Sequence, residues 1–242
     1  MNSRPAAKPP VVWITGAAGG LGNALVSEFL AQGWNVAAAW HRQPPRWKPC
    51  DRLWTFPLDV TQKAQVRNAA SEIVERWRRI DLLVNNAGIT VDQPVWQLDA
   101  AEWDRVIDVH LKGAFLCAQA ALGSMFENRD GHIINVASFA GRIGSRGQSN
   151  YAAAKAGLIG LTESLAKEAG SFNVRVNAIL PGVMQTPMTA SLSTEQWKDF
   201  AAANALGRIN DLCEVARFIA FLATTRNISG QIFQLDSRIA RW

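Results

Sequence analysis

Short apolar runs alternate along this chain with longer stretches of helical pattern. The runs VVWIT (11–15), NVAAAW (35–40), LWTF (53–56), DLLVNN (81–86), GHIINVAS (131–138), VRVNAIL (174–180) and GQIFQLD (230–236) have the length of buried strands. Helical patterns lie between them near 20–33, 62–79, 99–127, 149–170, 193–204 and 211–224. Strands buried on both faces and separated by helices specify an α/β fold: a Rossmann-like, doubly wound parallel sheet of about seven strands with helices on both faces. Right-handed crossovers in such a sheet place ligands outside the carboxyl ends of the strands. Residues 1–9 are expected to be a loose tail and 10–242 a single domain, with a Pro/Arg-rich loop at Arg42–Pro49.

Composition narrows the picture only a little. At 242 residues and 48% hydrophobic content the chain suits one large domain with a substantial core. Cys50, Cys117 and Cys213 are an odd, scattered set without metal-ligand spacing, which points to a reducing compartment and to no metal site. No apolar run of signal-peptide length precedes residue 16, and nowhere do eighteen apolar residues follow one another, so a cytoplasmic protein without a membrane span is expected. The net charge of +5 is modest and the arginines are dispersed. That argues against nucleic acid as a partner, which calls for a dense basic stripe.

The candidate chemistry begins where the first strand ends. It runs into Thr15-Gly16-Ala17-Ala18-Gly19-Gly20-Leu21-Gly22, and a helix follows. Glycines allow a sharp turn and close approach to a pyrophosphate, while a helix N-terminus presents free N–H groups and a positive dipole end.

A second constellation involves the chain's only tyrosine. Tyr151 stands four residues before Lys155, inside the helical pattern 149–170, and thirteen after Ser138. Positions i and i+4 share a helical face, so the phenol and the ammonium project into the same space. Lowering a phenol pKa from about 10 to about 7 takes roughly 4 kcal/mol at 1.36 kcal/mol per unit. An ammonium about 4 Å away supplies roughly that at an effective dielectric near 20. Ser138, Tyr151 and Lys155 thus form a candidate proton-transfer unit.

With the glycine loop, Asn85-Asn86-Ala87-Gly88, the Ser138…Tyr151-x-x-x-Lys155 unit, and Pro181-Gly182 followed by Thr186, the chain resembles the short-chain dehydrogenase/reductase family over about residues 10–237. The stretch GQSNYAAAKAGLIGLTESLAKE looks most like the 3-oxoacyl-carrier-protein reductases. The resemblance implies a dinucleotide held by Thr15, Gly16, Gly20, Leu21, Gly22, Asp59, Val60, Asn86, Ala87, Gly88, Tyr151, Lys155, Pro181, Gly182, Val183 and Thr186. Asp59 would face the adenine edge. Asn86 would steady the central strand beside the adenosine. Val183 and Thr186 would meet the nicotinamide carboxamide, and Lys155 the nicotinamide ribose. It also implies an acyl carrier protein or coenzyme A thioester as substrate and a homotetramer or homodimer.

Cofactor choice is read at the end of the second strand, where an acid selects NAD and a basic group accommodates the 2′-phosphate of NADP. Here Ala39-Trp40-His41-Arg42 carries no carboxylate before Asp51, so NADP(H) is expected, with Arg42 and His41 at the phosphate. Ser138 would donate to the carbonyl oxygen and Tyr151 deliver a proton as a 3-oxoacyl thioester is reduced. Reduction of another ketone, or oxidation of a secondary alcohol, fits the same residues. A non-catalytic NADP sensor does not need the intact triad.

Two departures stand out. The family's V-N-L-x-G reads Val109-His110-Leu111-Lys112-Gly113, making His110 a candidate substitute for a relay asparagine or, equally, a structural histidine. Its Asp-Gly-Gly reads Asp236-Ser237-Arg238, ahead of a closing segment RIARW. The segment after Thr186 is expected to form a lid, with Met184, Met188, Leu192, Trp197, Phe200, Val95 and Trp96 around an apolar pocket.

Overall fold

The structure is a computed structural model that describes residues 8–45, 47–48 and 50–239. The expected tail lies almost wholly outside the described residues, as do Arg46 and Pro49 of the Pro/Arg-rich loop and the last three residues of the closing segment.

Seven strands, β1 (Val11–Ile14), β2 (Asn35–Trp40), β3 (Leu53–Pro57), β4 (Leu82–Asn85), β5 (Gly131–Val136), β6 (Val174–Leu180) and β7 (Ile232–Gln234), pair in the order β3-β2-β1-β4-β5-β6-β7. Every pairing is parallel. The helices are α1 (Gly20–Ala31), α2 (Lys63–Trp77), α3 (Ala100–Ile107), α4 (Gly113–Asn128), α5 (Ala140–Ile143), α6 (Ser149–Ala169), α7 (Thr194–Ala202) and α8 (Leu212–Thr224). The fold is therefore a Rossmann-like α/β sheet, with its strand order reversing between β1 and β4.

Alternation along each strand divides the core in two. Val11 and Trp13 join the layer under α2, α4 and α6, with Val66, Ile73, Cys117, Met125 and Leu165. Val12 and Ile14 face the other layer, with Leu25, Val26 and Phe29 of α1 and Val215 and Ile219 of α8. Because both faces are covered there, the five inner strands are buried almost throughout and do not alternate. Each fully buried Val, Leu, Ile or Phe contributes about 1.5–3 kcal/mol.

The pattern read as one helix over 99–127 is two helices joined by a single π-helical turn, Asp108–Lys112, with His110 at its centre. The run Ala100–Asn128 is long and apolar enough to cross a membrane by length and composition. Here its apolar residues serve the core instead: Leu116, Cys117, Ala118, Ala121 and Met125 are buried in the first layer. The last strand is shorter than its apolar pattern, three residues within the expected 230–236. The short α5 has no counterpart in the periodicity.

Candidate active site

The site is built where the strand order reverses, from the carboxyl ends of β1, β4, β5 and β6. Gly16 adopts φ +63, and a Cβ on it would come within 2.8 Å of Ala87 Cα. A Cβ on Gly22 would lie 2.4 Å from Gly16 O, and one on Gly20 would lie 2.7 Å from Thr186 Cγ2. The loop can close this tightly only without side chains. Its backbone forms a cradle ahead of the N-terminus of α1, and these residues fit a dinucleotide.

Thr15 and Asn86 brace that cradle from beneath. Thr15 Oγ1 accepts from the N–H groups of Asn86 (3.0 Å) and Ala87 (3.1 Å). Asn86 Nδ2 donates to Thr15 O and Gly16 O at 3.0 and 3.1 Å. The chain beyond Asn86 then acts as a strap. Ile89 meets His110, Val91 O accepts from the buried Asn150, and Asp92 takes two bonds from Gln148 at the start of α6. Asn150 Oδ1 in turn accepts the Tyr151 N–H at 2.7 Å. The strap thereby sets the register of α6 against the glycine loop.

One cleft of about 650 Å³ gathers most of the predicted residues. Gly16, Gly20, Leu21, Asn86, Gly88, His110, Ser138, Tyr151, Lys155, Pro181, Gly182, Val183 and Thr186 all line it. Thr15, Val60 and Ala87 lie behind, around a cavity of about 10 Å³, while Gly22 is buried in the first turn of α1. His41 and Arg42 are exposed beyond the end of β2. His41 Nε2 stands 3.9 Å from Asp59 Oδ2, and Asp59 accepts the N–H and hydroxyl of Thr61. Burial acts upward on the Asp59 pKa, yet the Thr61 bonds bring it below its ordinary value.

Ser138, just past β5, shares the cleft wall with Tyr151 and Lys155, which helical spacing puts on one face, but the electrostatics differ from the simple pairing expected of them. Lys155 Nζ lies 5.5 Å from the Tyr151 ring centroid and donates to Val136 O at 2.6 Å. Burial lowers its pKa to about 7, because the low-dielectric interior penalises the ammonium. The Tyr151 phenol is pushed above its ordinary value by burial, drawn back by the Ser138 hydroxyl and raised again by Asp92. The expected acidification of the phenol by the lysine is therefore corrected: the ammonium is as desolvated as the group it was meant to activate.

His110 is 3% exposed, and its ring meets the Tyr151 ring edge-on with centroids 5.1 Å apart. Its Nε2 lies 2.7 Å from Ile89 O and 3.0 Å from Ile89 N. One nitrogen can serve only one of these partners in a given tautomer. Burial, followed by the Lys155 charge, lowers its pKa to about 3, so the ring is neutral. His110 Nδ1 and Asn85 Oδ1 are buried without hydrogen-bond partners, and both residues line the 10 Å³ cavity together with Lys155. Asn85 was legible in the sequence only as part of Asn85-Asn86-Ala87-Gly88, a run that also reads as a strand-ending turn.

Met184, Met188, Leu192 and Phe200 line the cleft as expected of the lid. Val95, Trp96 and Trp197 do not. Val95 and Trp96 sit at 63% and 77% exposure in the turn closed by Gln97 N to Pro94 O, facing solvent. Arg238, the first residue of the closing segment whose sequence allowed a place at the pocket rim or in a subunit contact, lines the cleft.

A Rossmann-like sheet with a glycine cradle and a Ser/Tyr/Lys wall defines a dinucleotide-dependent oxidoreductase acting on CH–OH or C=O groups. The family model described as short chain dehydrogenase matches residues 10–217, and the chain belongs to that family. It is 38% identical over 235 residues to 3-oxoacyl-[acyl-carrier-protein] reductase FabG of Thermotoga maritima, covering 93% of this chain and 96% of that one. It is 36% identical to the FabG of Staphylococcus aureus strain Mu50 (92% and 95% covered) and 35% identical to that of Escherichia coli strain K12 (88% and 89%). The family implies a nicotinamide cofactor.

Proposed function

We propose that this protein is an NADPH-dependent carbonyl reductase that converts a 3-oxoacyl thioester, linked to acyl carrier protein or coenzyme A, to the 3-hydroxyacyl form. The observation that carries the reading is the meeting of Ser138, Tyr151 and Lys155 on the wall of the cleft that begins at the glycine cradle. Similarity to three 3-oxoacyl-carrier-protein reductases over nearly the whole chain supports the substrate class.

The bound dinucleotide supplies the hydride. The chain's own residues do the rest. Backbone N–H groups of the glycine loop and α1 hold the pyrophosphate, with Asp59 at the adenine. Arg42 and His41 select the 2′-phosphate, and Val183 and Thr186 position the nicotinamide end. Ser138 donates a hydrogen bond to the carbonyl oxygen as negative charge develops there. Tyr151 gives up its proton to the nascent alkoxide. A phenol with a raised pKa suits this direction: it is fully protonated at neutral pH, and an alkoxide is about as basic as hydroxide, whose conjugate acid has a pKa near 15.7. Lys155 stabilises the phenolate left behind.

His110 and Asn85 bind one water in the 10 Å³ cavity behind Lys155, since a polar cavity of that size holds a single water with several partners. The Lys155 ammonium then returns a proton to the phenolate, and the lysine regains one from solvent by way of this water. A homotetramer or homodimer in the cytoplasm, acting on small-molecule or carrier-bound thioesters, completes the reading.

The test is an NADPH-oxidation screen of 3-oxoacyl thioesters against simple ketones and quinones. Thioesters should exceed the others by at least tenfold in kcat/KM; equal rates would remove the thioester assignment. A second reading, reduction of another ketone, is favoured by one observation: an arginine stands in the cleft where a neutral acyl chain needs none.

A further inference from the structure

The C-terminal departure from the family pattern brings a guanidinium to the substrate cleft. Arg238 Cζ lies 4.2 Å from the ring centroid of Phe139, the residue after Ser138. Its Nε donates to Asp236 Oδ2 at 2.5 Å. The Asp236 side chain is 3% exposed and also accepts Gln234 Nε2 at 2.6 Å and the Arg238 N–H at 3.3 Å on its other oxygen. Asp236 packs on the Pro181-Gly182 turn: a Cβ on Gly182 would reach within 2.7 Å of Asp236 Cβ. The guanidinium is thus fixed on both sides, by a buried carboxylate packed against Gly182 and by an aromatic face.

Ser237 extends the anchoring to the lid. Its N–H and hydroxyl meet Asn204 Oδ1, and its Oγ accepts the Leu206 N–H at 3.1 Å. Asn204 is itself 7% exposed, just past α7. Two glycines in these places would provide neither the serine clamp nor the arginine.

Asp236 occupies the side edge of the guanidinium through Nε. The end-on edge, Nη1 and Nη2, makes no hydrogen bond with any described residue. Two parallel N–H groups on a rigid plane match a carboxylate or phosphate bidentately. The same cleft is lined by the apolar Met184, Met188, Leu192 and Phe200, and Arg238 brings the one guanidinium among its described lining side chains.

We propose that Arg238 determines substrate specificity by binding an oxyanion of the substrate, a carboxylate or a phosphate, through its end-on edge. The reacting carbonyl then lies at Ser138 and Tyr151. This rests on the carbonyl-reductase reading of the same cleft.

Calorimetric titration of the full chain with NADP+ present tests it in two arms. The first compares 4-oxopentanoate and 5-oxohexanoate with their methyl esters. The second compares 3-oxobutanoyl phosphopantetheine with 3-oxobutanoyl pantetheine. The anionic member of at least one arm should bind about tenfold or more tightly, and the arm identifies carboxylate or phosphate as the source. Arg238→Gln should erase that preference while the neutral members bind as before, and Arg238→Lys should keep only part of it. Equal binding within both arms of the unsubstituted protein overturns the proposal without recourse to any variant. So does a preference that persists in Arg238→Gln. If the preference is present but no ketone is reduced by NADPH, the anion site stands and the reductase reading fails. Reduction of ketones without the preference overturns the anion site and leaves the reductase reading standing.

Discussion

Lys155 Nζ lies 5.5 Å from the Tyr151 ring centroid, yet its hydrogen bond, 2.6 Å long, is to the Val136 carbonyl. Burial favours the neutral amine and brings the lysine pKa to about 7. The proton therefore leaves as pH rises through about 7, and with it the charge to which the proposed mechanism assigns stabilisation of the phenolate. For the reductive reaction, kcat/KM should fall above about pH 7, approaching tenfold per pH unit, because that profile reports groups of the free enzyme. A profile flat from pH 6 to 9 would show that the lysine charge plays no part.

His110 presents a ring whose single Nε2 faces both the N–H and the C=O of Ile89, where a side-chain amide could donate and accept at once. His110→Asn should restore both bonds and leave stability unchanged or raised. His110→Ala should cost about 2–4 kcal/mol through a buried void and lower kcat/KM about tenfold or more, with an altered pH profile. An unchanged profile would make the histidine purely structural.

Much of this was legible in the sequence, for identifiable reasons. Runs of strand length marked all seven strands; the five inner ones are buried almost throughout, whereas the edge strands β3 and β7 are only partly buried. The i, i+4 spacing put Tyr151 and Lys155 on one wall because α6 is regular from Ser149 to Ala169. What escaped depends on tertiary surroundings. The π turn at Asp108–Lys112 has no signature in periodicity, and the lysine's lowered pKa follows from its burial against β5, which helical spacing cannot express. Val95 and Trp96 are apolar but held outward by a turn, whereas Arg238 is charged but drawn inward by Asp236.

Cofactor selection should reside at the end of β2. Arg42→Ala is expected to lower kcat/KM for NADPH about tenfold or more and to leave NADH nearly unaffected. Equal losses with both cofactors would remove Arg42 from the 2′-phosphate.

The glycine cradle should tolerate no methyl group at Gly22, where an added Cβ meets Gly16 O at 2.4 Å and Ala17 O at 2.6 Å. Both contacts are backbone and cannot swing aside. Gly22→Ala should destabilise the fold by about 1–3 kcal/mol and weaken NADPH binding measured by fluorescence. Wild-type affinity in that variant would mean that the cradle is not the dinucleotide site.

Acid should unfold the protein through its buried histidines. His132, on β5 and 1% exposed, has its pKa lowered to about 3 by burial and then by Arg175, against an ordinary value of 6.5. Between these values the unfolded state binds more protons, so stability falls as pH drops from 6.5 towards 3, by roughly a few kcal/mol for each such histidine. His132→Gln should flatten the dependence of urea midpoint on pH across that window. An identical slope would assign the acid sensitivity elsewhere.

The most direct measurement is single-turnover reduction by Tyr151→Phe, made alongside NADPH binding by the same variant. Cofactor affinity within about threefold of the unsubstituted protein, with the rate of substrate reduction lowered at least a thousandfold, is the result expected if the phenol delivers the proton. Reduction at near-normal rate without that hydroxyl would contradict it.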